Sequence, residues 1–69
     1  MIEWAPRSKN IMTFDEAVLY CQFLDYGGHK DWRLPTKPEY NSAGHIEGVW
    51  YATDTHLTFN WYAWPVRDL

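Results

Sequence analysis

The chain has 69 residues, room for a single domain over 1–69, and carries nine acids against six Lys and Arg, five Trp, five Tyr and one Cys. A lone cysteine excludes an internal disulfide, and with no pair of cysteines or closely spaced histidines there is no ligand set for a structural zinc. The net charge of −3, with Arg7, Lys9, Lys30, Arg33, Lys37 and Arg67 scattered, argues against the phosphate-neutralising surface on which nucleic-acid binding rests.

Ile2–Ala5 alternates apolar and polar residues and reads as a short strand, and Pro6–Asn10 reads as a loop. Thr13 followed by Glu16 is a capping box, and it opens the clearest helix. Phe14, Ala17, Val18, Cys21 and Leu24 recur on one helical face, and Asp15 and Glu16 lie where the helix dipole favours negative charge. Gly27-Gly28 is expected to end that helix, because glycine accepts the left-handed conformation of a C-terminal cap. Leu34 precedes Pro35 and is therefore extended. Thr36 and Glu39 form a second capping box, with Pro38 in the first turn of a short helix that Gly44 ends. Gly48–Asp54 and Leu57–Val66 are rich in β-formers and read as two strands, joined into a hairpin by the turn-like Thr53–His56. Alternation along the second puts Phe59, Trp61, Ala63 and Pro65 on one face and Asn60, Tyr62, Trp64 and Val66 on the other. The order predicts an α+β domain: two helices against a small, mainly antiparallel sheet, with the N- and C-terminal strands adjacent.

Aromatic residues must do much of the stabilising. A domain this small is marginal, and each buried aromatic ring removes about 150–250 Å² from water. No apolar stretch is long enough to span a bilayer and no signal-peptide pattern opens the sequence. With a single free Cys, that leads us to expect cytoplasmic synthesis and no membrane partner, with later assembly into a particle still open to it.

The stretch MTFDEAVLYCQFLDYGGHKDWRLPTKPEY, residues 12–40, resembles a pattern with three parts. These are aromatic-x-x-A-x-x-Y-C, a Gly-containing turn, and W-R-L-P-T-x-x-E followed by an aromatic or Leu. The pattern is that of the Lcl C-terminal domain family, a domain of unknown function with a C-type-lectin-like fold. It is more distantly similar to the formylglycine-generating enzyme and sulfatase-modifying-factor domains. IEWAP, GVWYATDT and NWYAWPVRDL resemble that family's other strands in the same order, so the resemblance runs from about Trp4 to Arg67. It implies a minimal C-type-lectin-like domain that recognises or assembles rather than catalyses, as the fold does in phage tail tips and bacterial adhesins. A compact version of it suits a virus-encoded or accessory protein. Three departures bear on function. Only Asn41–Gly48 stands where relatives carry long ligand-binding loops, the late reactive cysteines of the enzyme branch are absent, and the calcium-lectin motifs E-P-N, Q-P-D and W-N-D are missing.

Trp32, Leu34 and Pro35 read as core and helix-start residues, with Arg33 paired to an acid or to carbonyls. Alternatively, the planar fork of Arg33 anchors a ligand carboxylate or sulfate. His29, His45 and His56 with Asp54 fit no metal-ligand spacing, and neither metal nor cofactor is expected. Cys21, on the apolar helix face, reads as core. Asp54 and Glu47, two loop acids, read as solvated surface before they read as a catalytic pair. Trp50, Tyr51, Trp61, Tyr62 and Trp64 carry two readings: cross-strand packing, or an exposed platform for a protein or a sugar. The leading expectation is a non-enzymatic recognition or assembly module that binds a protein or itself through Trp50, Trp61, Tyr62, Trp64 and Arg33, with carbohydrate as a second ligand class. Two alternatives are an enzyme or enzyme regulator of the formylglycine-generating type, dependent on Cys21 or a metal, and a small inhibitor of a host protein.

Overall fold

Two capping boxes set the two helices. The structure, a computed structural model, describes residues 1–44, 48–54 and 59–69. Helix α1 (Phe14–Phe23) starts where Thr13 Oγ1 accepts from the Glu16 amide at 3.3 Å and Glu16 Oε1 accepts from the Thr13 amide at 2.9 Å. Helix α2 (Lys37–Ser42) repeats the motif with Thr36 and Glu39, at 3.4 and 2.8 Å, and carries Pro38 in its first turn. Each box satisfies two amides that a helix start otherwise leaves without partners. Gly44 follows α2 with φ +85°, the left-handed cap expected of it.

The other glycine pair does something else. Helix α1 ends at Phe23, and Leu24 is already extended. Gly27 and Gly28 then form a two-residue turn, with Tyr26 and His29 exchanging both backbone hydrogen bonds at 3.1 Å. Their φ values of +64° and +77° are the pair that a type I′ hairpin turn requires. A C-terminal cap uses one left-handed residue; two in succession favour the tight turn.

The strands form two ribbons rather than one sheet. Strand β1 (Ile2–Trp4) pairs antiparallel with β4 (Val66–Asp68), joining Ile2 to Asp68, Glu3 to Arg67 and Trp4 to Val66, so the chain ends are adjacent. On the other edge of β4, Arg33 and Val66 exchange backbone bonds at 2.8 and 2.7 Å, which lays the Trp32–Pro35 crossover beside it. The second ribbon joins β2 (Ile11–Met12) to β3 (Trp61–Tyr62), with Ile11 opposite Tyr62 and Met12 opposite Trp61.

The hairpin expected between 48–54 and 57–66 is not seen among the described residues. Val49 bridges Tyr62 in parallel, through Trp50 N–H to the Tyr62 carbonyl at 3.0 Å and Tyr62 N–H to the Gly48 carbonyl at 2.7 Å. The rest of Gly48–Asp54 is turn and irregular backbone. Of the proposed linking turn and second strand, residues 55–58 lie outside the described ones. The strand expected to end at Val66 is split into β3 and β4 at Ala63–Pro65, where Pro65 has no amide to give to a ladder. Its strict two-face alternation fails at the same place: Ala63, Pro65 and the adjacent Val66 are all buried.

Trp50 is the centre of the core. It is wholly buried and packs with Ala17, Cys21, Leu34 and Ala63, while Met12, Phe14, Val18, Tyr20 and Trp61 close the cluster. Its ring meets Phe14 edge-on at 5.4 Å and Trp61 at 4.7 Å, and its indole N–H donates to the Met12 carbonyl at 2.8 Å. That bond satisfies the one polar atom the ring takes inside. Trp32 is buried as expected, and its N–H reaches the carbonyls of Tyr26 and His29 at 3.3 and 3.1 Å. The Gly-Gly turn is thereby tied to the crossover. The result is an α+β domain.

Candidate binding surface

The expected aromatic platform separates into three environments. Trp50 leaves it: a ring with no exposed surface offers no stacking face. Trp64 joins a second cluster, where it meets Trp4 edge-on at 5.3 Å and donates its indole N–H to the Ala5 carbonyl at 2.6 Å. Tyr51 packs against Tyr40 at 5.2 Å. Trp61 and Tyr62 are half-buried neighbours in β3, so their side chains point to opposite faces of the β2–β3 ribbon.

Each face of that ribbon carries exposed apolar surface. On the Trp61 side, Phe59 lies parallel to the indole, 1° between planes and 5.8 Å between centroids, with 55% of its surface exposed. On the Tyr62 side stands Ile11, 54% exposed, and the Arg7 guanidinium sits 4.0 Å from the centre of the Tyr62 ring. Phe59 belongs to the face that sequence alternation proposed, but Arg7 read as a loop residue and Ile11 was placed in no element. Helix α1 adds Leu19 and Phe23, the latter 81% exposed, one turn apart on the side away from the core. Their signal was in the sequence: 19 and 23 fall opposite 14, 17, 18 and 21 on the helical wheel.

Arg33 is a brace in this geometry. Nη1 and Nη2 meet Glu39 Oε1 and Oε2 at 2.9 and 3.1 Å, Nη2 and Nε meet Asp68 Oδ1 and Oδ2 at 2.8 and 3.4 Å, and Nη1 also reaches the Leu34 carbonyl at 3.2 Å. These contacts take up all five donors of the guanidinium. An external carboxylate could bind only by displacing one of them. The Arg33 bonds, aided by the Thr36 amide, push the Glu39 carboxyl down to about 2, and they lower Asp68 as well. Arg67 is held alike, by Glu3 at 2.8 Å and Asp31 at 3.0 Å, and its hydrogen bond keeps Asp31 below the usual carboxylate range. Two arginines and four acids thus tie β1, β4, the crossover and α2 together.

The groups that could have carried chemistry are placed as follows. Cys21 is buried, and loss of solvent pushes its thiol up to about 12, so the thiolate needed of a nucleophile does not form near neutral pH. Asp54, expected to be solvated, is instead buried at 5% exposure, its amide bonded to the Tyr51 carbonyl at 3.1 Å. His29 is half-buried and serves the Gly-Gly turn through its backbone. His45, Glu47 and His56 lie outside the described residues. Among the described residues no group of three His, Cys, Asp or Glu side chains could hold a metal ion, and no helix is long and apolar enough to cross a membrane.

Compared with known proteins, the chain matches no family model, no curated protein and no solved structure.

Proposed function

We propose that this domain is a non-enzymatic recognition or assembly module that binds protein, a second copy of itself included, through the β2–β3 ribbon. The observation that carries the reading is Phe59, more than half exposed and stacked flat on Trp61. A rigid pair of aromatic rings contributes large contact area at little entropic cost, which is why such residues dominate protein interfaces. The ribbon is also firmly mounted. Trp61 rests on the fully buried Trp50, and Ser8 holds Ala63 directly behind β3 by two hydrogen bonds. Preorganisation of this kind lowers the cost of binding. The buried, protonated Cys21 weighs against the enzyme reading.

The fold we infer for it is a loop-reduced C-type-lectin-like domain. The adjacent terminal strands, and the Trp32–Pro35 crossover laid along the last of them, support that inference.

The test is sedimentation equilibrium from micromolar to millimolar concentration, for the native chain and Phe59→Ser, with binding of an apolar dye in parallel. The expected result is a mass that rises with concentration, or dye binding by a monomer, either of them abolished by the substitution. A native chain that stays monomeric and binds no dye overturns the proposal. Soluble oligosaccharides that quench Trp61 without any protein partner would replace it with the carbohydrate reading.

A further inference from the structure

The acids and bases of this protein are unevenly matched. Arg33 and Arg67 are each clamped by two carboxylates, and Lys30 lies 3.9 Å from Asp25. Arg7 and Lys9 form no ion pair with any described residue, yet both line one groove of about 470 Å³ between the Pro6–Asn10 loop and helix α1. Pro6, Met12 and Tyr20 supply its apolar walls.

The loop that presents these cations is fixed. Between them, Ser8 is buried and makes three bonds: its amide to the Ala63 carbonyl at 2.8 Å, its hydroxyl to the Asn10 carbonyl at 2.8 Å, and the Ala63 amide to its hydroxyl at 3.0 Å. With residue 8 held inward, its neighbours 7 and 9 are exposed. Arg7 is further oriented by Tyr62, whose ring it covers at 4.0 Å. A cation–π contact engages the charge of the guanidinium and spends none of its N–H donors on an oxygen acceptor. A forked donor, an ammonium and apolar walls share one groove of a size that takes a ligand of a few residues.

We propose that this groove binds an acidic peptide segment, with a carboxylate held between Arg7 and Lys9 and its methylene stem against Met12 and Tyr20. A singly charged carboxylate on an apolar stem fits better than a phosphate dianion. The apolar walls of Pro6, Met12 and Tyr20 favour the stem, which a phosphate lacks. The proposal rests on the protein-recognition reading for the source of the segment. Because Arg7 stacks on Tyr62, the groove adjoins the β2–β3 ribbon, and one partner could span both.

The experiment is an NMR titration of the ¹⁵N-labelled chain with blocked hexaglutamate, hexaglutamine and inorganic phosphate in separate arms. Hexaglutamate is expected to shift the Arg7 Nε–H and the amides of residues 7–10 and 20, and to bind more weakly as salt rises. Arg7→Gln/Lys9→Gln should weaken it about tenfold, as the loss of two exposed charge contacts predicts. Melting temperature checks that the double variant is folded, and Lys9→Gln alone serves if it is not. The proposal is overturned if hexaglutamate moves none of these signals, if the variant binds within about twofold of the native chain, or if phosphate or hexaglutamine binds as tightly. Phe59→Ser leaves this groove intact, so failure here and failure of the ribbon reading are distinguishable.

Discussion

Replacing Glu39 by Gln should cost stability at neutral pH and almost none in strong acid. Glu39 accepts from Arg33 at 2.9 and 3.1 Å and from the Thr36 amide at 2.8 Å, and its carboxyl lies at about 2 against an ordinary 4.5. The folded state therefore binds the proton less readily than the unfolded chain. The stability this confers is complete above the unfolded value, near 4.5, and is lost as pH falls through the folded value, near 2. The full shift would correspond to about 3.4 kcal/mol. The Arg33 side chain is 34% exposed, so solvent screens the pair and about 1–2 kcal/mol is the realistic figure. A 69-residue domain carries about 3–10 kcal/mol in all, which makes that loss easy to measure. The assay is urea unfolding followed by tryptophan fluorescence at several pH values, for the native chain and Glu39→Gln. Asp31, Asp68 and Glu16 are shifted the same way, so the diagnostic quantity is the difference between the two proteins. That difference should fall to well under half of its neutral value by pH 3. A difference that does not change with pH, or no difference at pH 7, would refute the assignment of Arg33 and Glu39 as a structural brace.

Three further outcomes are expected. Trp50→Ala removes the centre of the core and the bond to the Met12 carbonyl, and should cost about 3–5 kcal/mol; Trp50→Phe should cost less, and equal melting temperatures for the native chain and Trp50→Phe would show that the indole N–H bond contributes nothing. At Gly27, an added methyl group has room, with no atom closer than 4.0 Å, so Gly27→Ala should cost only the backbone term of about 1–2 kcal/mol at φ +64°. Gly27→Asn should recover much of that in a thermal melt, whereas equal losses would point to packing instead. Cys21 should be inert to a disulfide reagent at pH 8 in the native state and react at once in denaturant; rapid native reaction would contradict its burial and its thiol at about 12.

The parts of the fold that were legible in the sequence are those determined by neighbours a few residues apart. Both capping boxes formed as the Thr-x-x-Glu spacing required, and the apolar face of α1 buried Ala17 and Cys21. Strand pairing was less legible because it depends on residues far apart. Val49 has the β-branched character of a strand residue, yet nothing local in it specifies a parallel bridge to Tyr62. That sense follows from where Trp50 must go, under α1, with its N–H on the Met12 carbonyl. The Gly27-Gly28 pair shows the same limit: left-handed backbone was predictable, but the choice between a helix cap and a hairpin turn was decided by Trp32, which binds the carbonyls of Tyr26 and His29.

The candidate surface was half legible for a related reason. Alternation correctly separated Trp61 from Tyr62, but it could not tell that Trp50 would be enclosed and Phe59 left outside. Depth depends on what covers a ring, and Trp50 is covered by Phe14 and Trp61 from elements 36 and 11 residues away in sequence. Charge was sorted by the same long-range contacts. Arg33, in the most distinctive motif, carried two readings, a partner of an acid or carbonyl first and a ligand anchor second, and Arg7 read as a loop residue. In the folded chain Arg33 faces Glu39 and Asp68, while Arg7 faces an open groove. An arginine with all five donors occupied holds the fold together; an arginine over a ring, with no ion pair to any described residue, is the one equipped to bind.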